Sequence, residues 1–269
     1  MGVTSAEEAS VDYSQVTELV GARGSRAQFA RMCQRYQFAA GFCAGKEVLE
    51  VACGAGQGLG FLARRAKRVV GMDVDEGILA MARGHYGKRI EIRKGNAEAL
   101  PFADQSFDVV LLLEAIYYLK QPNCFISEAK RVLRPGGILF VCGPNKDLPD
   151  FNPSPFSNCY YGPPEFSSLF ESHGFSAQYF GGDPIGPQSL RSWAFQTIKR
   201  AAVKLELVPK TMRGKEPLKR FFFGPLVELP DEVPEEGPPQ AAPLAIPSHL
   251  PDRRHRVLYA VAQSSSPQC

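Results

Sequence analysis

The stretch Val48-Leu49-Glu50-Val51-Ala52-Cys53-Gly54-Ala55-Gly56-Gln57-Gly58-Leu59-Gly60 changes character twice along its length. It begins as a short apolar run of the kind that forms a strand covered on both faces. It then breaks into glycines at alternate positions and resumes as a helix-like segment, Phe61-Leu62-Ala63-Arg64-Arg65-Ala66. Strand, glycine turn and helix in that order expose backbone N–H groups and let a ligand lie close against the main chain.

Working outward, the same rhythm recurs. Upstream, Phe29, Met32, Cys33, Tyr36 and Ala40 fall at helical spacing, so Ala27 to Phe42 is expected to be one helix leading into the first strand. Downstream, Arg68–Met72 reads as a second strand, followed by Asp73 and by Asp75 as N-cap of a helix through Ile78, Leu79 and Ala82. Ile90–Arg93 is a third strand and the apolar run Phe107–Leu113 a fourth. Asn123 is expected to cap a helix carrying Phe125, Ile126, Ala129, Val132 and Leu133, which Pro135-Gly136-Gly137 ends before a fifth strand, Ile138–Val141. Pro163-Pro164 opens a further helix, closed by Gly174; Ser176–Phe180 and Val257–Val261 are the last two strands. The alternation predicts an α/β fold with a doubly wound, mostly parallel, seven-stranded sheet.

Between about Asp183 and Asp252 the alternation stops, which predicts an insertion before the last strand. Within it, Ser189 to Leu207 reads as a basic amphipathic helix, with Leu190, Trp193, Ile198 and Leu205 on one side and Arg191, Lys199, Arg200 and Lys204 elsewhere. A second basic stretch, Lys210 to Arg220, runs into Phe221-Phe222-Phe223, and the proline-rich Pro225 to Pro251 is expected to cross the surface without regular structure. The chain thus divides into an N-terminal arm and helix (1–44) covering substrate or cofactor, a core (45–182), the insertion (183–252), and the last strand with a disordered tail (253–269). For 189–223 the readings are a lid or subunit contact, an anionic membrane surface, and last nucleic acid, for which no recognition module is visible.

Composition narrows the class. A formal net charge of +3 is too small for the basic stripe that nucleic-acid binding requires. No apolar run approaches the roughly 20 residues of a membrane span; Val109 to Leu119 is interrupted by Glu114. Met1 to Ser10 lacks a basic start and an apolar stretch, so no secretory signal is expected. The 7 cysteines form no Cys-x-x-Cys pair, which fits reduced thiols in a cytoplasmic protein, peripheral to a membrane if the basic segment binds one. Cys53 reads as a small residue at a tight turn.

In an open parallel sheet, ligands bind beyond the carboxyl ends of the strands, where the strand order switches. Asp73, ending the second strand, suits a ribose, since one carboxylate accepts from both hydroxyls. The glycine spacing departs from the dinucleotide pattern Gly-x-Gly-x-x-Gly, because Leu59 stands at the third position. With Glu50 inside the strand, the series Glu50, Ala52, Gly54, Gly56 instead resembles the Glu/Asp-x-Gly-x-Gly-x-Gly motif of class I S-adenosylmethionine-dependent methyltransferases, alanine replacing the first glycine. Three more stretches carry the resemblance: Val69 to Asp75; Gly95 to Phe102 with Ser106 to Val110; and Glu128 to Gly137. Together they cover about residues 45–145, in the order found in the broad subfamily that includes ubiquinone/menaquinone-biosynthesis methyltransferases.

The resemblance implies a Rossmann-like methyltransferase fold, S-adenosylmethionine as cofactor, and site roles for particular residues. Backbone at Ala52, Gly54 and Gly56 would line the methionine part, with Glu50 reaching the amino group. Asp73 would take the ribose hydroxyls. Asn96, where many relatives have Asp, and Ala97 would meet the adenine edge, the Asn96 amide oxygen accepting from the adenine amino group. Main chain near Leu113 or Glu114 would face the methyl end. Methyl transfer to a small molecule, a sugar or a lipid- or glycan-linked intermediate, is the implied activity. The catalytic base stays open: Glu114 is the first candidate because it interrupts an apolar run, but its leading reading is a carboxylate orienting the cofactor amino group or a pocket wall. Tyr117 and Tyr118 are expected to pack against the next helix; His85, His173, His249 and His255 read as capping, surface or insertion residues. No His/Asp/Glu cluster has metal-ligand spacing, so metal-independent transfer is expected. The loop Pro144 to Tyr161 should border the acceptor pocket. A nicotinamide oxidoreductase and a catalytically silent cofactor-binding scaffold are the alternatives.

Overall fold

The computed structural model describes residues 19–186 and 226–264. The expected basic segment 189–223, the beginning of the N-terminal arm and the end of the tail lie outside the described residues. In chain order the strands are β1 (Arg23–Ser25), β2 (Glu47–Val51), β3 (Arg68–Asp73), β4 (Glu91–Lys94), β5 (Phe107–Leu113), β6 (Leu133–Pro144), β7 (Phe175–Pro184), β8 (Leu226–Glu228), β9 (Leu244–Ile246) and β10 (His255–Ser264). The helices are α1 (Arg26–Ala40), α2 (Leu59–Ala63), α3 (Glu76–Tyr86), α4 (Pro122–Val132) and α5 (Pro163–Glu171), with one 3-10 turn at Ile116–Tyr118.

The main sheet has the order β4-β3-β2-β5-β6-β10-β7-β9. From β4 through β6 every pairing is parallel, with Val48 opposite both Val69 and Val109. β10 inserts antiparallel between β6 and β7, which is how the last strand of the chain closes the sheet. Because successive strand residues point to opposite faces, each central strand feeds two cores. Leu49, Val51, Val70, Met72, Val110, Leu112, Leu139 and Val141 pack with α4 and α5 on one side. Val48, Val69, Val109, Leu111 and Phe140 pack with α1, α2 and α3 on the other. Each fully buried Leu, Val or Phe contributes roughly 1.5–3 kcal/mol of transfer free energy, which the near-continuous apolar strands supply. The result is the expected Rossmann-like, mostly parallel sheet between helical layers.

Several local expectations are corrected. The sheet has eight strands among the described residues: β9, from the insertion, adds antiparallel to β7. The proline-rich stretch is therefore not without regular structure. Its β8 pairs with β1, and Leu229 and Val233 are buried against α1 and α2, because apolar residues between the prolines find the open edge of that helical layer. α2 is shorter than its sequence pattern, ending at Ala63. Asn123 is not the cap of α4; Gln121 holds that position and Pro122 fills the first turn, where its missing N–H is no loss. Pro135-Gly136-Gly137 does not end that helix, which stops at Val132, but lies inside β6, with Gly136 at φ 75°. Asp75 does cap α3, its Oδ1 accepting from Gly77 N–H at 2.8 Å and Ile78 N–H at 3.1 Å.

Candidate active site

A cleft of about 1070 Å³ opens at the carboxyl ends of β2 and β5. The chain turns to β3 on one side of β2 and later crosses to β5 on the other, so this is the switch point of the sheet. The residues that follow these two strands, Ala52 and Glu114, both take left-handed backbone conformations, with φ of 57° and 55°. Neither is glycine, and an L-residue there costs about 1–2 kcal/mol. Both line the cleft, so the strain falls where the chain leaves the sheet to form its walls.

The glycine turn is fixed by side chains that its own sequence does not announce. Tyr86, in the last turn of α3, donates its hydroxyl hydrogen to Gly56 O at 2.8 Å and accepts from Gly60 N–H at 3.0 Å. Gly56 has φ of 79°, and a Cβ there would meet Ala82 Cβ at 3.0 Å. At Gly58 a Cβ would lie 1.8 Å from the Tyr36 ring. Tyr36 needs that space because its hydroxyl reaches beneath the turn to donate to Glu50 Oε1 at 2.7 Å. Gln57 ties the turn to the insertion: its side-chain amide donates to Pro230 O at 3.1 Å, and its own carbonyl accepts from Val233 N–H at 2.8 Å.

Of the residues singled out from sequence, Ala52, Gly54, Asp73, Asn96, Ala97 and Glu114 line this one cleft. Glu50 and Gly56 do not. Glu50 is 1% exposed and lies behind the wall made by Tyr36, Val51 and Ala52, since it faces the α1 layer from inside the strand. Burial pushes its carboxyl up to about 7, although the Tyr36 hydrogen bond and Arg35 pull the other way. Its Oε2 is buried with no hydrogen-bond partner among the described residues. Asp73 joins the second strand to the turn: Oδ2 accepts from Gly54 N–H at 2.9 Å and Oδ1 from Asp75 N–H at 3.0 Å. Burial raises its pKa while those N–H groups lower it. Each oxygen keeps a lone pair for a ligand in the cleft. The Asn96 amide oxygen, expected to meet a base edge, accepts from Glu98 N–H at 2.9 Å and keeps a second lone pair. The amide thus pins its own loop, a job that Asp does equally well.

The far end of the cleft differs in character. Tyr117 and Tyr118 line it, and they also belong, as expected, to the core packed with α4. Tyr117 stacks on Tyr160 with centroids 4.9 Å apart and donates to Glu114 Oε2 at 3.1 Å; Phe151 meets Tyr160 edge-on at 4.7 Å. The loop after β6 supplies Asn145, Leu148 and Phe151, so it borders this end. Opposite, the polar face of α1 presents Gln28, Arg31 and Arg35, and Arg256 enters from β10. Sequence reasoning does not single out Arg31, Arg35, Tyr36, Tyr86 or Arg256 as site residues. The one available signal is the i, i+4 placement of Arg31 and Arg35 on one helix face.

The histidines fall as expected at two positions. His85 pairs with Glu232 at 2.9 Å at the end of α3, and His173 bonds Leu169 O beyond α5. His255 is instead buried, its Nδ1 3.0 Å from Asp252 Oδ2, in a knot completed by Asn145. Cys53 is buried at the cleft wall and burial raises its thiol well above the ordinary value, which keeps it a small apolar filler.

Comparison with known proteins agrees with this geometry. Residues 49–141 match the family model described as methyltransferase domain. A probable S-adenosylmethionine-dependent methyltransferase of Mycolicibacterium smegmatis is 40% identical over 149 residues, covering 53% of this chain and 57% of that one. A fatty-acid O-methyltransferase of the same organism is 39% identical over 112 residues, covering 40% and 41%. The chain thus spans about half the length of the curated relatives it matches. In three dimensions, the YcgJ protein of Bacillus subtilis superposes with a TM-score of 0.56 at 13% identity, over 88% of this chain and 99% of that one, which shows a shared fold. Motif order, sheet topology and the matched segment agree, and residues 49–141 are similar to a methyltransferase domain set in a sheet of the same fold.

Proposed function

We propose that this protein transfers a methyl group from S-adenosylmethionine to a small, lipid-like acceptor. The observation that carries the reading is the continuity of the cleft. It runs from the glycine turn and Asp73 at one end to the aromatic wall of Tyr117, Tyr160 and Phe151 at the other. Its volume exceeds the roughly 300–1,000 Å³ of a site for one ligand, which leaves room for an acceptor beside the cofactor. A lipid-like acceptor suits the aromatic wall, and one relative is a fatty-acid methyltransferase by name.

The residues present fit the cofactor. Gly54 lets the backbone approach it closely, and Asp73 offers an acceptor on each oxygen to the ribose. Behind the wall, Glu50 supports the turn by accepting from the Tyr36 hydroxyl at 2.7 Å, and its Oε2 is a buried acceptor without a donor among the described residues. Asn96 fixes the loop that presents the Ala97 backbone to the adenine. When bound, the cofactor supplies an electrophilic methyl group on a sulfonium. The protein's part is to align the acceptor and exclude water, an effect of proximity. Glu114, held by the Tyr117 hydroxyl, stands at the end of β5 on the cleft wall, where it can orient the cofactor or take a proton from a hydroxyl acceptor. We assign cofactor binding to 45–182, and covering roles to 1–44 and 183–252.

The test is calorimetric titration with S-adenosylmethionine followed by incubation of a lipid extract with the methyl-labelled cofactor. Wild type is expected to bind, and Asp73→Ala to bind about a hundredfold more weakly, as expected for lost hydrogen bonds to a charged acceptor. Absence of binding by wild type overturns the reading. Binding without labelled lipid overturns the acceptor class alone.

A further inference from the structure

We propose that the acceptor is an anionic amphiphile whose charged end, a carboxylate or a phosphate, is held by Arg31 and Arg256. This deepens the methyltransferase reading and rests on it for the identity of the other end of the cleft. Arg31 Nη1 and Arg256 Nε converge on a single oxygen, Asp183 Oδ2, at 3.1 and 3.7 Å. Two guanidiniums share one carboxylate, so the trio keeps a formal positive charge. Both arginines line the cleft, although one comes from a helix before β2 and the other from the last strand of the chain. Asp183 takes a left-handed φ of 51° at the end of β7, a conformation Asp tolerates better than most residues. It is hydrogen-bonded to Arg31 and fixes that side chain in place. Arg35, one helical turn beyond Arg31, adds a third guanidinium to the same wall.

Among the described residues, none of the cleft's own carboxylates forms an ion pair with Arg31 or Arg256. Asp73 holds the glycine turn, Glu98 accepts from Gln121 N–H, and Glu114 accepts from Tyr117. Asp150, on the loop after β6, also lines the cleft, but the ion-pair partner of Arg31 and Arg256 among the described residues is Asp183. One carboxylate between two guanidiniums leaves N–H donors of Arg31 and Arg256 on the cleft wall. A guanidinium pair at partial burial recognises carboxylate or phosphate through charge-assisted, directional hydrogen bonds. Across from it, the Tyr117–Tyr160 stack, Phe151 and Leu148 offer an apolar surface for the body of the same molecule. An anion at one wall and an apolar surface at the other define an amphiphile.

Titration of the full chain with decanoate, decyl phosphate and 1-decanol tests this. Either anion is expected to bind at least about tenfold tighter than the alcohol, as one charge-assisted hydrogen bond provides, and to weaken with salt. Arg31→Gln and Arg256→Gln should each remove about that tenfold preference. Arg31→Lys should restore part of it, and affinity for S-adenosylmethionine should stay within a factor of about two for all three variants, since none of them touches the glycine turn. Tighter binding of decyl phosphate assigns the charged end to phosphate, and tighter binding of decanoate to carboxylate. Equal affinity for acid and alcohol, or an unchanged preference in both Gln variants, overturns the proposal. Loss of S-adenosylmethionine binding in wild type would instead overturn the methyltransferase reading and leave the anion result to stand alone.

Discussion

The two ends of the cleft are built by opposite means. At the glycine turn, atoms are packed so closely that a single methyl group has nowhere to go: a Cβ at Gly58 would lie 1.8 Å from the buried Tyr36 ring. At the acceptor end, Gly143 faces Tyr117, and a Cβ added there would meet its nearest neighbour at 3.6 Å, ordinary contact distance. The first end is a rigid backbone mould, and the second a wall of long side chains from α1, the loop after β6 and β10. A mould suits a ligand that never changes. A side-chain wall can be refitted to a new acceptor without disturbing the sheet.

The sharpest way to break this contrast is a matched pair of alanines. Gly58→Ala must displace the buried Tyr36 ring and its bond to Glu50, and is expected to lower stability by about 3 kcal/mol. Gly143→Ala should stay within about 0.5 kcal/mol of wild type. Urea denaturation of both decides; similar losses would mean that the two ends are equally tight. Next in size, Tyr86→Phe removes the hydroxyl that bridges Gly56 O and Gly60 N–H, both buried. A loss of about 2 kcal/mol is expected, with weaker cofactor binding by calorimetry.

The buried acid under the mould gives a pH signature of its own. Glu50 is raised from the ordinary 4.5 to about 7, so the folded protein binds a proton that the unfolded chain has released between these values. Stability from this group is therefore complete below about 4.5 and is lost as pH rises through about 7. A decline on the order of 2 kcal/mol between about pH 5 and 8 is expected for the protein without cofactor. Glu50→Gln should flatten it, and an unchanged slope would place the titrating group elsewhere. The smallest effect is expected at the outer surface of the mould. Glu232 pairs with Arg64, His85 and Arg89 across the insertion, and Glu235 with Arg64 and Arg65. These pairs are partly exposed, so Glu232→Gln should cost no more than about 1 kcal/mol and less at high salt. A larger loss of thermal midpoint would make the insertion a structural part of the mould rather than a dressing on it.

Some of the architecture is legible in the sequence because the information is local. The apolar strands Val48–Val51 and Phe107–Leu113, the cap at Asp75 and the glycine spacing each lie within a few residues, and periodicity reports burial on one or two faces. The seven strands of the alternating pattern all form. The eighth, Leu244–Ile246, is not visible in the pattern, since a three-residue strand among prolines has no period to read.

What the sequence by itself determined is the strand–turn–helix unit around Gly54, its repetition into a parallel sheet, and the presence of Asp73 and Glu114 at strand ends, where chain direction dictates the position. Tertiary structure alone decided which side chains face the cleft. Glu50, in the motif, is turned behind the wall, while Tyr36 from an earlier helix and Tyr86 from a later one reach the turn. Arg31, Asp183 and Arg256 lie far apart along the chain and meet at one carboxylate oxygen. The physical reason is that a motif records backbone geometry, which is set by neighbours in sequence. The walls of a cleft are set by which long side chains the packed layers bring together, and no spacing along the chain encodes that.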